Sequence, residues 1–152
     1  MLVQGLNKQE CCELLERVGF GRLGCASEDQ PYVVPIYFAY EANSLFGFST
    51  VWQKIEWIRK NPRVCVEVDE VLGQDNWTSV LVFGLYEELA DRPGYTALRL
   101  NAHSLLEKRT LWWQPAMAAS KARGDRFGPL PDFYCIHIAK VTGHRSSPDQ
   151  QK

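Results

Sequence analysis

The feature that most constrains this chain is a run of six short, β-rich segments, several of them joined by links of hairpin length. They are Phe20 to Ser27, Tyr32 to Tyr40, Ser44 to Ser49, Arg63 to Asp69, Trp77 to Leu89 and Phe133 to Thr142. Each is rich in the aromatic and β-branched residues that suit a pleated surface. Antiparallel strands need only a tight turn between them, whereas parallel strands need a crossover of a dozen or more residues. Long helices do not alternate regularly with these segments. The pattern predicts a mainly β (α+β) fold, a six-stranded antiparallel barrel with a few peripheral helices. One domain is expected over residues 1–152, with 146–152 as a frayed tail.

Pro35 sits inside the second segment, and proline cannot donate to a strand ladder. That strand must therefore be an edge, carry a bulge, or turn part of its backbone toward something other than a strand. Gly84 marks a possible bulge in the long fifth segment. Glu28 to Pro31 and Glu41 to Asn43 read as turns. Asn7-Lys8-Gln9-Glu10 has the form of a capping box, followed by Cys11, Leu14, Leu15 and Val18 at helical spacing and by Gly19 as the stop. Further helices are expected near Val51 to Lys60, ended by Asn61-Pro62, and over Gly94 to Arg109. Trp112 to Pro115 interrupts the last pattern, and Gly124 to Pro131 reads as loop.

Seventeen basic and eighteen acidic residues leave a net charge of −1, so no bulk field draws the chain to nucleic acid or an anionic membrane. No apolar run approaches the length of a membrane span, and Met1 to Glu10 lacks the pattern of an export signal. Five cysteines, an odd number without metal-ligand spacing, read as core thiols of a cytoplasmic protein. No metal site is expected. Asp69-Glu70 and Glu87-Glu88 are adjacent on strands and so face opposite sides, which denies them an acid–base partnership. His103 reads as a surface residue and His137 as a hydrogen-bonded structural one, while His144 beside Arg145 is open to a substrate anion or to solvent. No nucleophile elbow or phosphate-binding glycine loop is present, and no catalytic side chain is assigned.

The chemistry concentrates in Phe48-Ser49-Thr50-Val51-Trp52-Gln53-Lys54. Here a strand runs into a helix through two hydroxyl residues, and a lysine lies in the first helical turn. A lysine there opposes the positive end of the helix dipole, by about 0.3–1 kcal/mol. A phosphate monoester would reverse that sign, with Ser49 and Thr50 as further donors. The alternative is that Thr50 caps the helix and Lys54 is solvated. Tyr32, Tyr37, Phe38, Phe46, Phe48, Trp52 and Trp57 lie close by in sequence and either fill a core or wall a flat apolar slot.

Several of these pieces occur together in family order. Pro31-Tyr32-Val33-Val34-Pro35, Phe48-Ser49-Thr50 with Lys54, Asn61-Pro62-Arg63-Val64-Cys65 and Trp77 to Gly84 resemble the small pyridoxamine 5′-phosphate oxidase-related proteins. Trp112-Trp113-Gln114-Pro115 and Val141 to Arg145 resemble the same branch, that of the nitroimidazole-resistance proteins. The resemblance spans about Glu10 to Arg145. It implies a Greek-key split β-barrel that forms a homodimer and holds flavin mononucleotide (FMN) between subunits. By position it implies that Val34, Pro35 and Ile36 border the isoalloxazine with their backbone, and that Phe48, Ser49 and Thr50 reach ring and phosphate. Gln53 and Lys54 match the pair that grips the phosphate, Ser79 a flavin-contacting position, and Trp113 a residue reaching the neighbouring subunit's flavin.

The vitamin oxidases carry basic residues where this chain has Val33 and Phe38, and two basic phosphate ligands where it has Gln53 and Lys54. Their arginine- and histidine-bearing C-terminal segment is not recognisable either. The resemblance therefore implies a flavin-dependent oxidoreductase acting on a small planar acceptor, with an electron donor such as NAD(P)H, rather than on pyridoxamine 5′-phosphate. A binding or storage module for flavin, the deazaflavin F420 or haem, and a scaffold with a degenerate site, are the alternatives.

Overall fold

In the computed structural model, residues 1–49, 55–90, 92–109 and 133–148 are described. Their elements run β1 (Leu2–Gly5), α1 (Lys8–Arg17), β2 (Phe20–Ser27), β3 (Gln30–Glu41), β4 (Ser44–Phe48), α2 (Ile55–Lys60), β5 (Arg63–Gly73), β6 (Asn76–Glu88), a 3₁₀ turn (Pro93–Tyr95), α3 (Thr96–Glu107) and β7 (Phe133–Ser147). The expectations for Val51 to Lys54, Trp112 to Pro115 and Gly124 to Pro131 lie outside the described residues.

The strand order is β1-β7-β4-β3-β2-β5-β6, and β6 also pairs with β7. Strands β2 to β7 therefore close a ring of six, every pairing antiparallel. This is the expected split-barrel topology: β2, β3 and β4 form a meander, and the chain then crosses through α2 to place β5 beside β2. Strand β1 is an addition that the sequence did not signal. Its four residues are all exposed, so no alternation marks them. It pairs with the end of β7, Leu2 opposite Ser147 and Gly5 opposite His144. The frayed-tail expectation is corrected there, because Ser146 and Ser147 belong to β7 and Ser146 is fully buried. The Ser146 hydroxyl also accepts the Trp77 N–H at 3.2 Å.

The turns explain the hairpins. Glu28 and Asp29, and again Ala42 and Asn43, all have positive φ, the signature of the two-residue turn whose twist matches antiparallel strands. Strand β3 consequently begins at Gln30, earlier than the proline after it suggested. Asn43 is further held by its side-chain N–H donating to the Ile138 carbonyl at 3.1 Å.

Inside the ring, Leu23, Val34, Ile36, Phe38, Val66, Val68, Val80, Val82 and Ile136 form the main core with Cys11, Leu14 and Leu15 of α1. Helix α1 starts where its capping box places it. Glu10 N–H donates to the Asn7 side chain, and Asn7 N–H donates to the Glu10 carboxylate, both at 2.9 Å. A second cluster, with Phe46, Leu89, Leu106 and Phe133, packs α3 on the outside of the sheet. The register of β6 against β7 shifts at Gly84, as expected. A Cβ there would stand 2.5 Å from the His137 carbonyl oxygen, so the bulge requires glycine.

Candidate functional site

The site begins with an interruption in the ring. Strand β3 pairs with β2 from Gln30 to Tyr37, but with β4 only from Phe38 to Glu41. Beyond Phe38 and Gly47 the two strands part, and β4 ends at Phe48. The stretch from Pro31 to Tyr37 thus has an edge with no strand paired to it among the described residues.

The direction of that edge follows from alternation. Phe38 N–H donates to Gly19 O on the β2 side at 3.0 Å. Backbone groups of an antiparallel strand point to alternate sides, so Val34 and Ile36 also face β2. Val33, Pro35 and Tyr37 then face the open edge. Pro35 is accommodated because its missing N–H would have pointed where no strand lies, as the sequence required. The edge offers the N–H groups of Val33 and Tyr37 and the carbonyls of Val33 and Pro35. The side chains of Val34 and Ile36 are buried inward, while Val33, Pro35 and Tyr37 lie outward and exposed.

At the mouth of this opening, Phe48 packs edge-on against Phe133, with ring centroids 4.9 Å apart. The next residue, Ser49, is one of only two buried polar residues among those described. Its hydroxyl lies 3.3 Å from that of Tyr86 on β6. The Tyr86 ring stacks on Tyr134 at 4.7 Å and 21°. Tyr134 in turn fills the space over Gly47, where a Cβ would come within 2.3 Å of its phenol. Tyr86 and Tyr134 were missed by the sequence reading. Strand alternation places them inward, and their one distinguishing signal is that a buried phenol needs a polar partner.

The segment leaving α2 is fixed to the same strand. Tyr86 N–H donates to Pro62 O at 2.9 Å, and Arg59 grips both carboxylate oxygens of Glu88 at 3.0 Å. Asn61 donates to Ala26 O at 3.2 Å. The chain before and after residues 50–54 is therefore held firmly. Thr50, Gln53, Lys54 and Trp113 themselves lie outside the described residues.

Ser79 is not brought to this cluster within one chain. It is seven residues from Tyr86 along β6, about 23 Å at strand rise. On the outer face it donates to Glu67 at 2.9 Å, beside Arg22, which bridges to Asp69 at 2.8 Å. Of the adjacent acidic pairs, Asp69 meets Arg22 while Glu70 takes Arg17, and Glu88 takes Arg59 while Glu87 meets His137 at 2.8 Å. Neither adjacent pair shares a partner, as strand alternation required, whereas Glu67 and Asp69, on one face of β5, share Arg22 at 3.5 and 2.8 Å. His103 is exposed, 3.6 Å from Glu107. Among the described residues no group of three or more His, Cys, Asp or Glu converges as a metal site would require.

Next to the open edge, the outer face of β3, β2, β5 and β6 carries a shallow apolar groove of about 380 Å³. Gly24, Val33, Cys65 and Phe83 line it, in one cross-strand row, with Arg63 at its border. Tyr37, Phe83 and Leu85 on this face are each exposed by more than two-fifths. Burial pushes the Cys11 and Cys135 thiols above their ordinary values, and all five cysteines are free. Among the described residues no helix is long and apolar enough to cross a membrane.

The arrangement can receive a flat, hydrogen-bonding ring along the β3 edge and a polar group at Ser49. Comparison with known proteins bears on what that is. An uncharacterised protein of Rhizobium meliloti, RA0666, is 36% identical over 94% of this chain and 95% of its own. The crystal structure of a FAD-binding protein from Mesorhizobium loti is 44% identical, with a TM-score of 0.78 over 97% of this chain and 100% of that one. A candidate 5-nitroimidazole antibiotic resistance protein of Bacteroides thetaiotaomicron shares the fold at 17% identity, with a TM-score of 0.65 over 97% of this chain and 93% of that one. The family model described as pyridoxamine 5′-phosphate oxidase matches residues 7–145, and the chain belongs to that family.

Proposed function

We propose that this protein binds a flavin and works as a flavin-dependent oxidoreductase on a small planar acceptor. The observation that carries the reading is the open β3 edge beside buried Ser49, in a family member whose 44% identical relative is a FAD-binding protein. Alternating N–H and C=O groups at Val33, Pro35 and Tyr37 suit the polar edge of an isoalloxazine, and the Ser49 hydroxyl suits a phosphoryl oxygen. These described residues fit the group. Thr50, Gln53 and Lys54 would complete its phosphate contacts.

A bound flavin supplies the electron transfer. The chain's own residues then orient the ring, exclude water and bind the phosphate. None needs to be a strong acid or base, and none of the described residues near the edge is placed as one.

FMN is the cofactor we favour from the Ser49–Lys54 segment. FAD is a second reading, favoured by the Mesorhizobium relative. The protein's own preparation tests both. Flavin released by heat and separated chromatographically should be FMN or FAD, and its absorbance should appear in the folded protein. Colourless protein that takes up neither overturns the proposal. Steady oxidation of NAD(P)H with a quinone or nitroaromatic supports an oxidoreductase; bound flavin without turnover supports a storage module.

We further propose a homodimer formed through the outer groove, which places the ring between protomers. Ser79, too far from Ser49 in its own chain, would then act at the partner's ring. Five free thiols suit the reducing cytoplasm, where we place the protein.

A further inference from the structure

We infer that Tyr86 is a positioning residue for the phosphate of the bound flavin, acting through Ser49. The inference rests on the flavin reading above and assigns a role to a side chain that does not touch the ligand.

Tyr86 and Ser49 are both buried, each 7% exposed, and their hydroxyls are 3.3 Å apart. Either oxygen can donate, but the phenol is the more acidic hydroxyl and the better donor. With Tyr86 donating, Ser49 keeps its own proton for a second partner. A hydroxyl that accepts one bond donates more strongly in the next. Ser49 is thereby left with its proton free to donate, which is what an anion requires and what a neutral ribityl hydroxyl does not.

Burial pushes the Tyr86 phenol far above its ordinary value, so it remains an O–H donor throughout the working pH range. Its ring cannot swing away, because it stacks on fully buried Tyr134, which in turn fills the space over Gly47. Its backbone N–H holds Pro62 at the exit of the same segment. One residue therefore fixes the hydroxyl at the entrance and the chain at the exit.

The test compares FMN with riboflavin, which has the ring and ribityl chain but no phosphate. Wild-type protein and Tyr86→Phe are titrated with each. The phenylalanine keeps the ring stack and removes only the hydroxyl. FMN binding should weaken by roughly five- to tenfold, the worth of one net hydrogen bond, and riboflavin binding should not change. Equal weakening of both flavins would mean that Tyr86 merely supports the fold, and no weakening would mean that it supports nothing at the phosphate. Either result overturns the inference while leaving flavin binding intact. A wild type that binds neither flavin overturns the parent reading, and the inference with it.

Should Tyr86→Phe fail to fold, Ser49→Ala cuts the same bond from the other end. Because it also removes the phosphate contact of Ser49, it must show an FMN-specific loss at least as large, and unchanged FMN affinity overturns the inference. Where both variants fold, the double variant should lose no more than Ser49→Ala alone, since Tyr86 acts only through that hydroxyl.

Discussion

Ala42 pays a conformational cost set by the two-residue turn it forms with Asn43. It holds φ of 50° in the β3–β4 turn, a left-handed backbone that costs an alanine roughly 1–2 kcal/mol. Ala42→Gly should therefore stabilise the protein by about 0.5–1 kcal/mol after the entropy of glycine is counted. A raised urea midpoint checks it. Gly47 is the opposite case. Gly47→Ala would drive a methyl into the Tyr134 phenol, which is fully buried and held against Tyr86. A loss of about 1–3 kcal/mol, typical of overpacking, is expected from the same measurement. Neither position could be ranked from the sequence. Gly47 in Phe46-Gly47-Phe48 looks like any strand glycine until Tyr134, eighty-seven residues on, is seen to need the space. Pro35, by contrast, was legible, because a missing N–H has a consequence wherever it occurs.

Elements were legible where their period and their ends were both written in the chain. The capping box at Asn7 and the buried stripe of α1 are of this kind. Strand β1 was not, since a short edge strand with no buried face has no pattern to read. Nor was the parting of β3 from β4, because register is a property of two strands and the chain shows one at a time. The tie between α1 and β5 is also a property of the pair. Arg17 binds both oxygens of Glu70, at 2.9 and 3.2 Å, and that bond holds the Glu70 carboxyl below its ordinary value. A carboxylate with a lowered folded pKa contributes stability that is present above its unfolded pKa. That contribution is lost as the pH falls through the folded value. Unfolding midpoints measured from neutral pH into the acid range should thus fall less steeply in Glu70→Gln than in the wild type. Identical slopes would show that the pair does not survive in solution.

At the scale of the molecule, the ring closes through β7, which pairs with β6 along most of its length and with β4 and then β1 on its other side. A six-stranded barrel was readable from strand count and turn chemistry. The outer groove was not, because alternation tells which residues leave the core but not which of them gather in one row. That row motivates the dimer. Sedimentation at micromolar concentration should report two chains, and Phe83→Asp, a charge placed where the side chain is 42% exposed on the groove, should report one without loss of the fold. A wild-type monomer would contradict the dimer and leave Ser79 without a ligand to meet.

A crystal structure of the flavin-saturated protein tests the site as a whole. The ring should lie along Val33 to Tyr37, within hydrogen-bond distance of their outward backbone groups, with its phosphoryl oxygens at Ser49. Flavin seated elsewhere, with solvent at the β3 edge and the Ser49 hydroxyl bound only to Tyr86, would contradict the proposed site.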